Sequence, residues 1–104
     1  MAEGTTRFES FAEFYPFYLG QHANRTCRRL HFVGTTLGLV ALLHAFSTLD
    51  FLWILVGLAV GYFFAWVGHF FFEKNRPATF THPLYSFMGD WVMWKEMLTG
   101  RIRF

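Results

Sequence analysis

Charge, thiols and a leader pattern are all scarce in this 104-residue chain. Only 15% of its residues are charged, against about a quarter in soluble domains. By contrast, 54% are hydrophobic and 22% aromatic, and a water-soluble core of this size has no need of fifteen phenylalanines. Lipid can absorb such a surplus, so a membrane protein is expected. A single cysteine, Cys27, excludes an intramolecular disulfide; no C-x-x-C or Cys/His zinc spacing is present, and nothing points to an oxidising compartment. The opening MAEGTTRFESF has no basic stretch followed by an apolar one. No cleaved signal peptide is therefore expected, and the mature chain is expected to be the whole chain. There is no G-x-S-x-G elbow and no phosphate-cradling glycine loop, and Cys27 sits among arginines without a surrounding motif, which argues against nucleophilic hydrolase chemistry. No basic stripe suited to nucleic acid appears either.

What the chain has instead is two long apolar runs, Leu30 to Phe46 and Phe51 to Phe72. Crossing the hydrocarbon takes about 20 apolar residues, with a range of about 17 to 25. The second run meets this without a charge. The first lies at the lower limit and can borrow length from Cys27 to Arg29 or thin the bilayer. Between them stand Ser47, Thr48, Leu49 and Asp50, a link short enough for an antiparallel hairpin, with Asp50 placed to cap the second helix. All nine Lys and Arg residues lie outside that link: Arg7, Arg25, Arg28 and Arg29 come before the first span, and Lys74, Arg76, Lys95, Arg101 and Arg103 after the second. By the positive-inside rule both termini face the cytoplasm. The chain is then an integral, multi-pass protein of the inner membrane in a bacterium or of the endoplasmic reticulum in a eukaryote. The net charge of +2 is small, and its cations stand where anionic headgroups would be, so no nucleic-acid partner is needed.

The expected fold is an all-α membrane protein, one domain over 1–104, with spans at about 30–46 and 51–72 forming a transmembrane helical hairpin. Amphipathic interfacial helices flank it. In the first, Phe8, Phe11, Tyr15 and Tyr18 recur at helical spacing opposite Glu9 and Glu13, and Pro16 is expected to kink or divide the helix. In the last, Leu84, Phe87, Met88, Trp91, Trp94 and Leu98 make the stripe, and Gly100 is a C-cap. Packing or lipid contact explains both stripes. Glycines four apart in each span, Gly34 and Gly38, Gly57 and Gly61, permit close helix contact within a chain or in a homo-oligomer.

Two membrane crossings return the chain to its starting side. His22 and His31, before and at the start of the first span, would therefore meet His69 and His82, at and after the end of the second, on one bilayer face. His44 lies at the opposite end, by the short link, and is read as interfacial. His69 and Glu73, at i and i+4, would share a helix face, with Arg76 three residues on and Pro77 ending the segment. That series suits a metal ligand, a second ligand or general base, and an anion clamp; it also suits an ordinary Glu73–Arg76 pair beside a hydrogen-bonded histidine. His22 and His31 are nine positions apart. On one unbroken helix they would point in opposite directions. Gly20 as a breaker and Asn24 as an N-cap allow a turn that folds His22 back toward His31. Neutral imidazoles suit iron, zinc, copper or nickel, and three of them with open positions at a lipid boundary fit a ferrous centre handling oxygen and an acyl chain.

The segments FYPFYLGQHANRTCRRLHFVG and WVGHFFFEKNRPATF, with the PLYSFMGDWVMW tail, resemble a family of small membrane proteins related to fungal 2-hydroxy fatty acid dioxygenase. The likeness covers nearly the whole chain and carries onto His22, His31, His69, Glu73, Lys74, Arg76, Pro77 and Ala78. It implies an iron(II)-dependent dioxygenase of fatty acid α-oxidation that converts a 2-hydroxy fatty acid and O₂ to the acid one carbon shorter. Under that resemblance His22, His31 and His69 hold Fe(II). Glu73 orients a ligand, completes the coordination or acts as base, and Lys74 or Arg76 pairs with the substrate carboxylate. Under the same resemblance other residue types are expected among relatives at the position of His82, which makes it a local extra. Two alternatives stand beside this reading: a non-catalytic membrane adaptor or lipid-binding hairpin, and a haem-binding hairpin with two axial histidines.

Overall fold

The computed structural model describes residues 7–104. Residues 1–6, on which the signal-peptide expectation partly rests, lie outside the described residues. The described chain is all-α. Ser10 opens α1 (Phe11–Gly20) by accepting from the Glu13 N–H, and Glu13 in turn accepts from the Glu9 N–H. Next come α2 (Arg25–Thr48) and α3 (Leu52–Val67), the latter prolonged by a π-helical turn at Gly68–Glu73; a 3₁₀ turn at Ala78–Phe80 leads to α4 (Pro83–Leu98).

The hairpin forms with corrected boundaries. Asn24 caps α2 by accepting from the Cys27 N–H at 3.0 Å, so the helix begins five residues before the expected span at Leu30. Hydropathy detects only the lipid-compatible part of a helix, whereas the cap sets where it starts. With 24 residues, α2 is about 36 Å long, more than the hydrocarbon thickness of about 30 Å. The second span, Leu52–Glu73, is helical throughout, but its last turn is π rather than α. Asp50 accepts from the Leu52 N–H, as its capping role requires, and the left-handed Leu49 closes α2.

Both helices are long and apolar enough to cross a membrane. Their outer faces carry Val40, Leu43, Phe46, Leu55 and Phe63, each more than half exposed. Along the inner faces the four glycines meet within the chain. A Cβ at Gly34 would stand 3.0 Å from the Gly61 carbonyl oxygen, and one at Gly57 would stand 3.1 Å from that of Gly38. Close approach of α2 and α3 is therefore their role inside the hairpin.

The flanking helices differ from expectation. Pro16 lies inside α1 without dividing it, because Phe14 and Tyr18, both fully buried, anchor the turns on either side. These two side chains, rather than Phe8, centre the packed face. It lies against α4, where Ser86, Gly89, Met93 and Met97 are the buried residues. Of the expected α4 stripe, Leu84, Phe87, Met88 and Leu98 are exposed, while Trp91 and Trp94 are half-buried. Tyr15 donates to Glu96, Tyr18 to Asp90, and Trp94 Nε1 to Thr36 Oγ1 at 2.9 Å, which ties α1 to α4 and α4 to α2. Gly100, at φ 82°, stands just past the end of α4 as expected.

Candidate metal centre

Three histidines meet where α1, α2 and the π turn converge. His22 Nε2 is 3.0 Å from His31 Nε2, and the ring centroids of His22, His31 and His69 stand 4.3, 4.5 and 4.9 Å apart pairwise. All three are buried, as is Cys27, whose sulphur belongs to the same cluster; the candidate ligand atoms lie within 4.8 Å of one another. The buried His22/Cys27/His31/His69 cluster can hold a metal ion.

Each imidazole is placed by a distinct local device. The chain turns sharply after α1, and Arg28 holds that turn by donating from Nη1 to the carbonyls of His22 and Ala23. Glu73 fastens it from the far side of the hairpin, its two carboxylate oxygens accepting from the Asn24 N–H at 3.1 and 2.9 Å. Tyr18 stacks on the His22 ring with centroids 4.1 Å apart. The tyrosine ring itself fits because Gly89 has no side chain, since a Cβ there would come within 2.9 Å of it. His69 sits in the π turn, a widened geometry often found at functional sites. Gly68 lets that turn press against α2, where a Cβ would meet Cys27 Sγ at 3.0 Å and Cys27 Cα at 3.2 Å.

The second ring nitrogens settle the tautomers. His22 Nδ1 is 2.7 Å from the Tyr18 carbonyl, His31 Nδ1 is 3.0 Å from the Cys27 carbonyl, and His69 Nδ1 is 2.7 Å from Asn75 Oδ1. Asn75 donates from Nδ2 to the Gln21 backbone and side-chain oxygens, which fixes its own oxygen toward His69. Every partner is an acceptor, so each Nδ1 carries the proton and each Nε2 keeps its lone pair. Burial, then the neighbouring His31 and His69, lowers the His22 pKa well below its ordinary value, which keeps that ring neutral. Two bare lone pairs 3.0 Å apart repel unless a cation stands between them. Metal–nitrogen bonds of about 2.1 Å meeting near a right angle give a separation of about 3.0 Å. The donor set therefore fits a metal.

Of the residues singled out in the sequence, His22, His31 and His69 come together. His82 does not join them; its ring lies among those of Phe8, Phe14 and Phe17, at centroid distances of 5.2, 5.5 and 6.0 Å. His44 packs edge-on against Trp53 at the opposite end. Glu73 is engaged with Asn24, while Lys74 and Arg76 are exposed beyond the π turn. Three contributors went unread: Cys27, Asn75 and Asp90. Cys27 stands four residues before His31, a same-face spacing legible in the sequence. Asn75 and Asp90 carry no such mark.

Comparison with protein families finds a match to the family described as 2-hydroxy-palmitic acid dioxygenase Mpo1-like, over residues 8–102. No curated protein and no solved structure matches the chain.

Proposed function

The chain belongs to the Mpo1-like family, and from that premise we propose that it is an iron(II)-dependent dioxygenase of fatty acid α-oxidation, shortening a 2-hydroxy fatty acid by one carbon. The observation that carries this reading is the gathering of three buried imidazoles, their ligand atoms within 4.8 Å of one another, each with its Nδ1 engaged by an acceptor outside the cluster. Imidazole donors suit ferrous iron, and a three-histidine set leaves positions open for substrate and oxygen. Iron bound there supplies the oxygen chemistry. Overall, a 2-hydroxy acid and one O₂ give the shorter acid, carbon dioxide and water, which balances without an external reductant.

The chain's own residues do the holding and orienting. His22, His31 and His69 are the ligands; Tyr18, the Cys27 carbonyl and Asn75 fix their rings. Glu73 acts by positioning, since its grip on Asn24 sets the turn between His22 and α2. Lys74 and Arg76, exposed at the same end of the hairpin, receive the substrate carboxylate as it arrives from the bilayer surface. The apolar outer faces of α2 and α3 lie in lipid, and both termini face the cytoplasm.

A haem site is disfavoured, because two axial ligands must stand on opposite faces of a macrocycle and His22 and His31 are in contact. Purified protein in detergent, loaded with ferrous iron and given 2-hydroxypalmitic acid and oxygen, is expected to release the fifteen-carbon acid. His69→Ala is expected to abolish turnover. Full activity in that variant overturns the assignment of the centre, and a protein with neither turnover nor stoichiometric metal overturns the proposal in favour of the adaptor reading; a Soret band favours haem.

A further inference from the structure

An elongated cavity of about 150 Å³ leaves the histidine cluster and follows the seam between α2 and α3, with α4 forming part of its wall. His31 lines one end, and Thr35 and Leu42 follow along the same face of α2. Because α3 is antiparallel, with Gly34 facing Gly61 and Gly38 facing Gly57, Ile54 returns at the level of Leu42. From His31 to Leu42 is about 16 Å along the helix, roughly half the hydrocarbon thickness and so the depth of one leaflet.

Two features define what such a groove accepts. Its polar groups, His31, Thr35, Tyr62 and Asp90, all stand toward the cluster end, beside the apolar Ala65, Phe87 and Trp91, whereas the far end is aliphatic, with Leu42 and Ile54. The four glycines along the seam contribute backbone without side chains, which suits a thin, unbranched occupant. Neither feature belongs to the outer faces of the hairpin, where the exposed residues from Val33 to Leu43 and from Leu55 to Phe63 are all apolar.

We infer that this groove is the acyl-chain site: the 2-hydroxy acid lies with its hydroxyl and carboxyl groups at the His31–Asp90 end and its methyl terminus against Leu42 and Ile54, which limit chain length. The identity of the ligand rests on the dioxygenase reading above. The continuity of the groove with His31 and its one-sided polarity rest on structure alone. Asp90 offers the 2-hydroxyl an acceptor on the groove wall, and the aliphatic end takes the rest of the chain.

The full chain in phosphatidylcholine nanodiscs tests this with 2-hydroxypalmitic acid carrying a photoactivatable diazirine either at the methyl end or close to the carboxyl group. Mapped by mass spectrometry, the terminal probe is expected to label Leu42 or Ile54 and the proximal probe Thr35 or Tyr62. Unlabelled 2-hydroxypalmitic acid should compete, and a phosphatidylcholine bearing the same probe should not give this pattern. Labels spread over Leu43, Leu55 and Phe63 on the outer faces overturn the inference, as does the same pattern from the phospholipid probe. In turnover, Ile54→Trp should shift the kcat/KM ratio at least tenfold toward shorter acids, and Leu42→Ala should shift it toward longer ones; ratios unchanged in both variants count against the groove. The two proposals fail separately. Groove labelling without turnover removes the reaction and leaves the site, whereas turnover with outer-face labelling removes the site and leaves the reaction.

Discussion

His22 Nε2 and His31 Nε2 stand 3.0 Å apart, each ring donating a hydrogen bond from Nδ1 to a backbone carbonyl. Two facing lone pairs in a buried site raise the energy of the metal-free protein. Metal binding removes that repulsion and adds its own linkage, about 2.7 kcal/mol when free metal is a hundred times its Kd. The thermal midpoint in detergent is therefore expected to rise with ferrous iron or cobalt and to fall on chelation. His22→Ala should lose the metal-dependent shift. Identical midpoints with and without metal in the unsubstituted protein contradict the assignment.

Asn75 holds His69 by a side-chain oxygen at Nδ1, whereas the Nδ1 groups of His22 and His31 donate to backbone carbonyls. Removing such an outer partner typically costs 10–100-fold in metal affinity. Asn75→Ala should show a loss in that range by metal titration, with helix content unchanged by circular dichroism. Unaltered affinity means that His69 needs no help to keep its tautomer.

Gly68 provides a steric test of the π turn. A methyl group there meets Cys27 Sγ at 3.0 Å and the Cys27 backbone at 3.2 and 3.3 Å, and the backbone cannot yield as a side-chain tip can. Overpacking of this kind costs about 1–3 kcal/mol. Gly68→Ala should lower thermal stability and, by pushing the turn away from α2, weaken metal binding. Gly20→Ala, where nothing stands within 4 Å, is the control and should leave metal binding intact.

Most of this architecture was legible before any coordinates. Hydropathy and the short link give the hairpin, and its doubling back gives the meeting of His22, His31 and His69. Asn24 as an N-cap gives the turn between the first two. The π turn was not legible, because i, i+4 reasoning presumes an α-helix through Glu73. That presumption set Glu73 beside His69, whereas its carboxylate reaches across to the Asn24 amide instead. The packed faces of α1 and α4 were missed for a related reason. An aromatic stripe can face lipid as readily as protein, and Gly89, which receives the Tyr18 ring, has no hydrophobic signature.

Cys27 belongs to the buried cluster, yet its sulphur lies 3.8 Å from His31 Nδ1, on the edge of the ring away from the Nε2 lone pair. A fourth ligand would approach the side on which the three Nε2 atoms converge. Cys27→Ala is therefore expected to keep near-stoichiometric metal, and the cobalt-substituted protein should show no sulphur-to-cobalt charge-transfer band. Loss of metal from this variant comparable to that from His31→Ala would establish a His₃Cys centre instead.

Asp90 supplies a pH signature separable from the histidines. Burial raises its carboxyl to about 7, against the lowering effect of the Tyr18 hydrogen bond, from an ordinary value of 3.8. Between those two values the native state holds more protons than the unfolded chain. Its contribution to stability is therefore present at low pH and is lost as pH rises through about 7, with a slope of at most about 1.4 kcal/mol per pH unit. His22 pulls the other way. Its folded pKa is lowered, so below the ordinary value of 6.5 the unfolded chain takes up the proton and stability rises with pH. A pH profile of the unsubstituted protein mixes the two contributions, but its difference from Asp90→Asn isolates the carboxyl, because asparagine still accepts from Tyr18 and does not titrate. Unfolding in detergent should show the variant gaining on the unsubstituted protein from about pH 4 to about pH 7 and holding a constant advantage above that. A difference that stays flat across this range means that Asp90 titrates in the folded protein as it does in water.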